Sequence, residues 1–205
     1  MAMEDKSALI DKILEMFKRY GIRSVTTNDI ARELGISKKT LYEHFTDKSD
    51  VIEQAMLLLY ERLSMQLDEV RQKKLGAIQE VLEINKRLSD MLRTTSPTLD
   101  YDLRKYYPDL FCKVFNAFNT MVYQMHVENM NRGMAEGVYR MLDPDVIARL
   151  LSHRMQTGFL EVFTLEEFYS ERVRKEVFLY HLFGICNDKG YAIVNSMLDD
   201  FFTSK

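Results

Sequence analysis

Basic and hydroxyl-bearing side chains are concentrated between residues 37 and 48, within the segment TTNDIARELGISKKTLYEHFTDKSDVI. Ammonium and hydroxyl groups bind phosphate oxygens, and some of these side chains can also hydrogen-bond to the edges of nucleic-acid bases. Five of them are left on or near the exposed side when the apolar residues of the segment turn inward: Lys38, Lys39, Thr40, Tyr42 and His44. The segment therefore predicts a surface that binds DNA.

Two short helices joined by a tight turn are predicted to position this surface. Thr26 and Asp29 have the spacing of a capping box that starts the first helix, and Gly35 ends it. Ser37 has the position of an N-cap for the second helix. The apolar residues that would form a small shared core are Ile30, Ala31, Leu34, Ile36, Leu41 and Phe45. This order is typical of a helix-turn-helix, although an ordinary helical hairpin with a solvated basic edge has the same pieces.

Helices are also predicted on both sides of this segment. Ile10, Ile13, Leu14 and Phe17 form one apolar stripe of a helix that ends at Gly21. A long helix is expected to start at Asp47 and run to about Lys73, and further helices are expected near residues 78–92, 99–106, 109–137, 144–163, 167–187 and 190–202. The prediction is an all-α protein with a three-helix DNA-binding domain at residues 1–50 and a larger helical domain at residues 51–205.

The overall charge is a weak argument against a DNA-binding protein. The net charge is −3, and residues 1–50 contain nine basic and nine acidic side chains, whereas nucleic-acid-binding domains are usually basic. The alternative is a helical ligand-binding or protein-interaction module that has lost DNA binding. The sequence contains no run of roughly 18 uncharged apolar residues, so no membrane span is predicted. The start MAMEDKSALI does not resemble a secretory signal. A cytoplasmic protein is expected.

Signatures of catalysis or of metal binding are missing from the sequence. It contains no glycine-rich phosphate loop, no HExxH and no nucleophile elbow. The acidic pairs Glu166-Glu167 and Asp199-Asp200 consist of adjacent residues, which point to different sides of a helix. Cys112 and Cys186 lack metal-ligand spacing. We therefore expect no enzymatic activity, no metal and no cofactor.

The larger domain is rich in side chains that adapt to apolar ligands. The chain contains 13 Met, 11 Tyr and 12 Phe residues, and surfaces of Met and aromatic side chains accommodate varied apolar molecules. The candidate ligand-binding residues are Met56, Tyr60, Met91, Phe111, Phe115, Phe118, Met125, His126, Met155 and Phe159. For any single member, a place in the hydrophobic core is the simpler interpretation, so only the whole set predicts a pocket.

The N-terminal segment resembles the DNA-binding domain of the TetR family of bacterial regulators. The resemblance rests on Phe17 to Gly21, on Thr26-x-x-Asp29-Ile-Ala, and on the stretch from Gly35 to Phe45 with the following Lys48. It covers about residues 9–52, and beyond them only the plan of long helices is similar. Lys39 departs from the pattern, since many members have glycine there.

The resemblance implies roles for the matched residues. Thr27, Tyr42, His44 and Lys48 would bind backbone phosphates, while Lys38, Lys39 and Thr40 would lie nearest the bases, with Ser37 included in the DNA-binding set. It also implies a ligand-responsive regulator, most simply a repressor, that a small apolar or amphipathic effector releases from DNA. A single recognition helix contacts few base pairs, so we expect a homodimer on a palindromic operator, formed through the helices at about 144–165 and 167–187.

Overall fold

The computed structural model describes residues 6–153 and 162–203. Within these residues the secondary structure is helical, apart from one isolated antiparallel bridge between Tyr139 and Cys186. In chain order the helices are α1 (Lys6–Tyr20), α2 (Thr27–Leu34), α3 (Lys38–His44), α4 (Lys48–Gln72), α5 (Ala77–Arg93), α6 (Pro97–Tyr106), α7 (Pro108–Ala135), α8 (Pro144–His153), α9 (Leu165–Tyr169), α10 (Glu171–Ile185) and α11 (Asp188–Thr203). The predicted all-α class is confirmed.

One predicted helix is wrong in its extent. The sequence predicted a single helix at about 167–187, but α9 ends at Tyr169 and α10 begins at Glu171. Ser170 has an extended backbone (φ −67°, ψ 141°), and its side chain accepts a hydrogen bond from the backbone N–H of Val173. Ser170 therefore ends one helix and caps the next, because a serine hydroxyl can replace the hydrogen-bond partner that the first turn of a helix lacks.

The described chain divides into two compact units. The first contains the described residues up to Met65 together with Asp90–Phe118, and the second contains Gln66–Ser89 together with the described residues from Asn119 onward. The division at residue 50 that the sequence predicted remains a functional prediction, since the first unit also includes the start of α4 and all of α6. Helices α1 to α3 are thus packed in one unit with α6 and the first turns of α7.

The first unit is built around a continuous apolar core. Leu9, Ile13, Leu14 and Phe17 of α1 are buried, as the predicted stripe requires. The core residues contributed by the other helices of this unit include Ile30, Leu41, Phe45, Ile52, Met56, Leu99, Leu103 and Val114. Because α6 and α7 share this core with α1 to α4, displacement of either helix must disturb the packing of the N-terminal helices.

The second unit combines an apolar core with a buried hydrogen-bond network. The Tyr139 hydroxyl donates to Asn129 Oδ1 (3.0 Å), and Asn129 Nδ2 donates to the Ala77 carbonyl (2.9 Å) and to Glu80 Oε1 (3.1 Å). Glu80 is buried and lies 2.6 Å from Arg132 Nη2. A buried carboxylate requires such partners, because the loss of hydration is otherwise unfavourable. The network joins α5 to α7.

Two absences within the described residues are relevant to function. Among the helices of residues 6–153 and 162–203, none combines the length and the apolar character that crossing a bilayer requires. In the same residues, no group of three or more His, Cys, Asp or Glu side chains is arranged to hold a metal ion.

Candidate nucleic-acid interface

The start of α2 is defined by a complete capping box. The Thr26 side chain accepts a hydrogen bond from the Asp29 backbone N–H (3.2 Å), and Asp29 Oδ2 accepts from the Thr26 backbone N–H (3.0 Å). The hydrogen bond from the Thr26 hydroxyl is the main cause that holds the pKa of Asp29 below its usual value. At the other end, Gly35 has φ 68°, a left-handed conformation that glycine adopts without strain. Both predicted ends of the helix are confirmed.

Helix α3 is held against α2 by its apolar side. Leu41 and Phe45 are buried, as are Ile30, Ala31 and Leu34, while Ile36 is partly buried against the same core. Ser37 caps α3 by accepting from the Thr40 backbone N–H (3.0 Å), and the Ser37 and Thr40 hydroxyls are 2.9 Å apart. The predicted helix-turn-helix packing is confirmed, and the capping role of Ser37 is evident.

The opposite side of α3 has the exposed cations that the sequence predicted. Lys38 and Lys39 are exposed, and neither forms an ion pair within the described residues. Tyr42 is 40% exposed, and its ring lies 6.0 Å from Lys38 Nζ, whereas His44 is half-buried. Unpaired lysines and an exposed phenol on one helix leave this surface available for phosphate and base contacts.

Thr27 and Lys48 lie at the starts of α2 and α4, and both are half-buried. The Lys48 ammonium group donates a hydrogen bond to the Ile22 carbonyl (3.1 Å) in the turn between α1 and α2. Burial lowers the pKa of Lys48, while the charges of Asp102 and Asp29 oppose that effect. An ammonium group has further N–H donors, so Lys48 can hold this turn and a phosphate together.

The structure adds Asp102, on α6, which the sequence reasoning did not place in the site. Asp102 is 6% exposed, and its Oδ2 accepts a hydrogen bond from the Arg23 backbone N–H (2.8 Å). Arg23 Nη1 donates to the Tyr106 hydroxyl (2.5 Å), also on α6. The α1–α2 turn is therefore held by α6 as well as by Lys48. The available sequence signal was an acidic residue on the apolar face that contains Leu99 and Leu103.

Six of the ten candidate ligand-binding residues belong to the first unit. Tyr60 lies 5.8 Å from Phe115 and 5.2 Å from Phe118 between ring centroids, and Phe111 stacks on Phe115 at 4.8 Å. Met56 is buried and Met91 is partly buried, and both pack in the same core. Met125 and His126 belong to the second unit. Met155 and Phe159 lie outside the described residues.

Arg104 of α6 adjoins this aromatic cluster, which consists of Tyr60, Phe111, Phe115 and Phe118. The Arg104 guanidinium lies 4.1 Å from the Phe111 ring centroid and is paired with Asp100 through Nε and Oδ2 at 2.7 Å. A guanidinium stacks favourably on aromatic rings, which explains why Arg104 remains half-buried beside apolar side chains.

Two short helices with a shared core, a glycine turn and a cationic second helix define a helix-turn-helix DNA-binding protein. Residues 9–55 match the family described as bacterial regulatory proteins, tetR family. An HTH-type transcriptional regulator of Staphylococcus aureus (strain USA300) is 27% identical over 129 residues, which are 58% of this chain and 70% of that protein.

Two solved structures share the fold at lower sequence identity. A transcriptional regulator from Cytophaga hutchinsonii has a TM-score of 0.71 at 21% identity, over 88% of this chain and 98% of that chain. The TetR family transcriptional regulator PfmR from Thermus thermophilus has a TM-score of 0.60 at 18% identity, over 84% and 94% of the two chains. Residues 9–55 form a DNA-binding domain of the TetR family, and the chain is a DNA-binding regulator of transcription. Neither the structure of the described residues nor the comparisons favour the alternative of a module that has lost DNA binding.

Proposed function

We propose that the protein is a homodimeric repressor that binds a palindromic operator and is released from it by a small apolar or amphipathic effector. The observation that carries the proposal is the exposed cationic face of α3, held by a capped helix-turn-helix. In such motifs the second helix lies in the major groove, and a dimer binds two half-sites about one DNA turn apart or a multiple of it.

Within this proposal the predicted DNA-binding residues divide by the chemistry they can perform. Thr27, Tyr42, His44 and Lys48 bind backbone phosphates, which positions the protein without reading sequence. Lys38, Lys39, Thr40 and Ser37 lie at the start of α3, where a recognition helix approaches the base edges. A lysine ammonium group there can donate to guanine O6 and N7.

Selection of DNA from a random library with the purified protein tests this proposal. The expected result is enrichment of a palindromic site, and the Lys39→Ala variant should then alter the preference at one or two positions of each half-site. Failure of the wild-type protein to enrich any sequence at moderate salt would contradict operator binding.

Exposed apolar side chains on α8 and α10 support the homodimer. Val146 and Leu150, one helical turn apart on α8, are each at least half exposed, and Tyr180 on α10 is 80% exposed. Large exposed apolar side chains in a monomer are typical of surfaces that another protein covers. Analytical ultracentrifugation should give twice the mass of one chain, and a strictly monomeric protein at micromolar concentration would exclude the dimer.

The aromatic cluster of the first unit supports an effector site. Phe111 and Phe115 provide apolar surface, and Arg104 provides a charged group that can pair with a polar end of an amphipathic molecule. Ligand entry must displace packed rings, and the same elements extend to the DNA-binding helices. Arg104 shares α6 with Asp102, and Tyr60 shares α4 with Lys48.

This arrangement offers a physical route from effector to DNA. A ligand that moves α4 or α6 changes the positions of the groups that hold the α1–α2 turn, namely Lys48 and Asp102. A ligand shifts the DNA-competent population only by its differential affinity for the two states. A coupling free energy of about 1–3 kcal/mol would change operator affinity roughly 5- to 150-fold, and DNA must weaken ligand binding by the same factor.

Effector coupling can be tested by titration in both directions. A thermal-shift screen of apolar and amphipathic compounds identifies a ligand, which is then titrated with and without the operator. The expected result is weaker ligand binding when the operator is present. Equal affinity in the two titrations would show that the cluster does not control DNA binding.

A further inference from the structure

Glu43 is an acidic side chain at the centre of the exposed face of α3. A helix turns about 100° per residue, so Glu43 and Lys39 lie nearly opposite the buried Leu41. Both side chains are exposed, and no ion pair joins them in the described structure although they are four residues apart. The order with lysine before glutamate is the weaker one for such pairs, so the Glu43 carboxylate remains available.

A carboxylate in this position is unfavourable for general DNA affinity. The phosphate backbone repels a carboxylate. Lys38 and Lys39 precede Glu43, and a surface that served general DNA affinity alone would be expected to continue with further cations. An ionised carboxylate is also restricted to accepting hydrogen bonds. It can therefore contribute favourably in the major groove only where a base edge presents a donor.

The donors in the major groove are the amino groups of cytosine and adenine. In adenine the amino group lies beside N7, an acceptor that repels a carboxylate, whereas cytosine N4 has no such neighbour on its own base. We propose that Glu43 is a specificity-determining residue that accepts a hydrogen bond from a cytosine N4 amino group in each operator half-site. The inference rests on the DNA-binding function stated above.

The position of Lys39 refines the expected site. Residues four apart are separated by about 6 Å along a helix axis, and base pairs are stacked about 3.4 Å apart. Lys39 donates to guanine O6 and N7, so a guanine on either strand is expected within about two base pairs of the cytosine that Glu43 contacts.

Library selection with Glu43→Ala and Glu43→Gln tests the assignment. The wild-type protein should select cytosine at one position of each half-site. In Glu43→Ala the preference for cytosine over the other bases at that position should fall on the order of 10-fold, while the preferences at the other positions stay the same. Glutamine pairs with adenine N6 and N7, so Glu43→Gln should change the preference at the same position from cytosine to adenine.

Glu33→Ala is the matched control, because Glu33 is an exposed acid on α2 and the substitution removes the same charge. Both alanine variants should bind non-specific DNA somewhat more tightly, because each removes a negative charge, but only Glu43→Ala should change a base preference. Identical selected sites for wild type and Glu43→Ala would overturn the proposal. If the wild-type protein enriches no sequence, operator binding itself fails and this inference fails with it.

Discussion

The hydrogen bond between the α1–α2 turn and α6 allows a direct test of how α6 controls DNA binding. Replacement of Asp102 by alanine leaves the Arg23 backbone N–H without its acceptor and removes a negative charge that favours the charged form of Lys48. Asp102 is buried, so solvent replaces the lost partner only in part. Asp102→Asn keeps an oxygen that can accept from the same N–H, and it removes the charge alone.

The magnitudes follow from the burial and from the type of hydrogen bond. A hydrogen bond to a charged group contributes about 1.5–3 kcal/mol, and this one is partly buried, so the free energy of unfolding should fall by about 2 kcal/mol in Asp102→Ala. For a chain of this length that corresponds to a fall in Tm of roughly 4–8 °C. Asp102→Asn should lose about half as much, because the hydrogen bond becomes neutral and weaker.

Operator affinity should decrease in the same order. The turn that Asp102 holds lies directly before α2 and also accepts the Lys48 hydrogen bond. In Asp102→Ala, DNA binding must supply the free energy that orders the turn. If that free energy is about 1–2 kcal/mol, operator affinity falls by roughly 5- to 30-fold. Fluorescence anisotropy with a labelled operator, measured well below the Tm of every variant, gives these affinities.

Asp100→Ala provides the matched control. Asp100 is also on α6 and partly buried, but its partner is Arg104 rather than the α1–α2 turn. It should lower stability without changing operator affinity in the absence of effector. If Asp102→Ala kept the operator affinity of the wild-type protein, the proposed role of the turn would be refuted. Equal losses of operator affinity in Asp102→Asn and Asp102→Ala would also refute it.

Three further predictions concern separate parts of the molecule. Lys48→Met should weaken binding to all DNA sequences and make the slope of log K against log salt shallower by about 0.9, whereas an unchanged slope would remove Lys48 from the phosphate contacts. Tyr180→Glu places a charge on an exposed apolar surface of α10 and should convert the dimer to a monomer in sedimentation, so a persistent dimer would exclude this surface from the interface. Tyr139→Phe leaves the buried Asn129 Oδ1 without its donor, which should lower Tm by about 2–12 °C in a calorimetric melt while operator affinity stays the same.

The helix-turn-helix could be predicted from the sequence because its determinants are local. Thr26, Asp29, Gly35 and Ser37 act on backbone groups within four residues of themselves, so their spacing alone defines where α2 and α3 begin and end. The inward positions of Leu41 and its neighbours follow from helical periodicity for the same reason.

Helix extents were less predictable where a break depends on one polar side chain. Ser170 interrupts what periodicity suggests is one helix, because its hydroxyl caps α10. In a helix interior, serine is only slightly unfavourable, so the residue type alone does not decide whether the helix continues or breaks at this position.

The sequence by itself therefore determined the fold class, the DNA-binding segment and the chemistry of the exposed face of α3. Only the tertiary structure decided which distant residues hold that segment, since Asp102 and Arg23 are 79 positions apart and Lys48 and Ile22 are 26 apart. Local spacing contains no information about such pairs. An aspartate on an apolar helix face acquires its role from whichever backbone donor the packing of helices brings to it, because burial makes that single partner necessary.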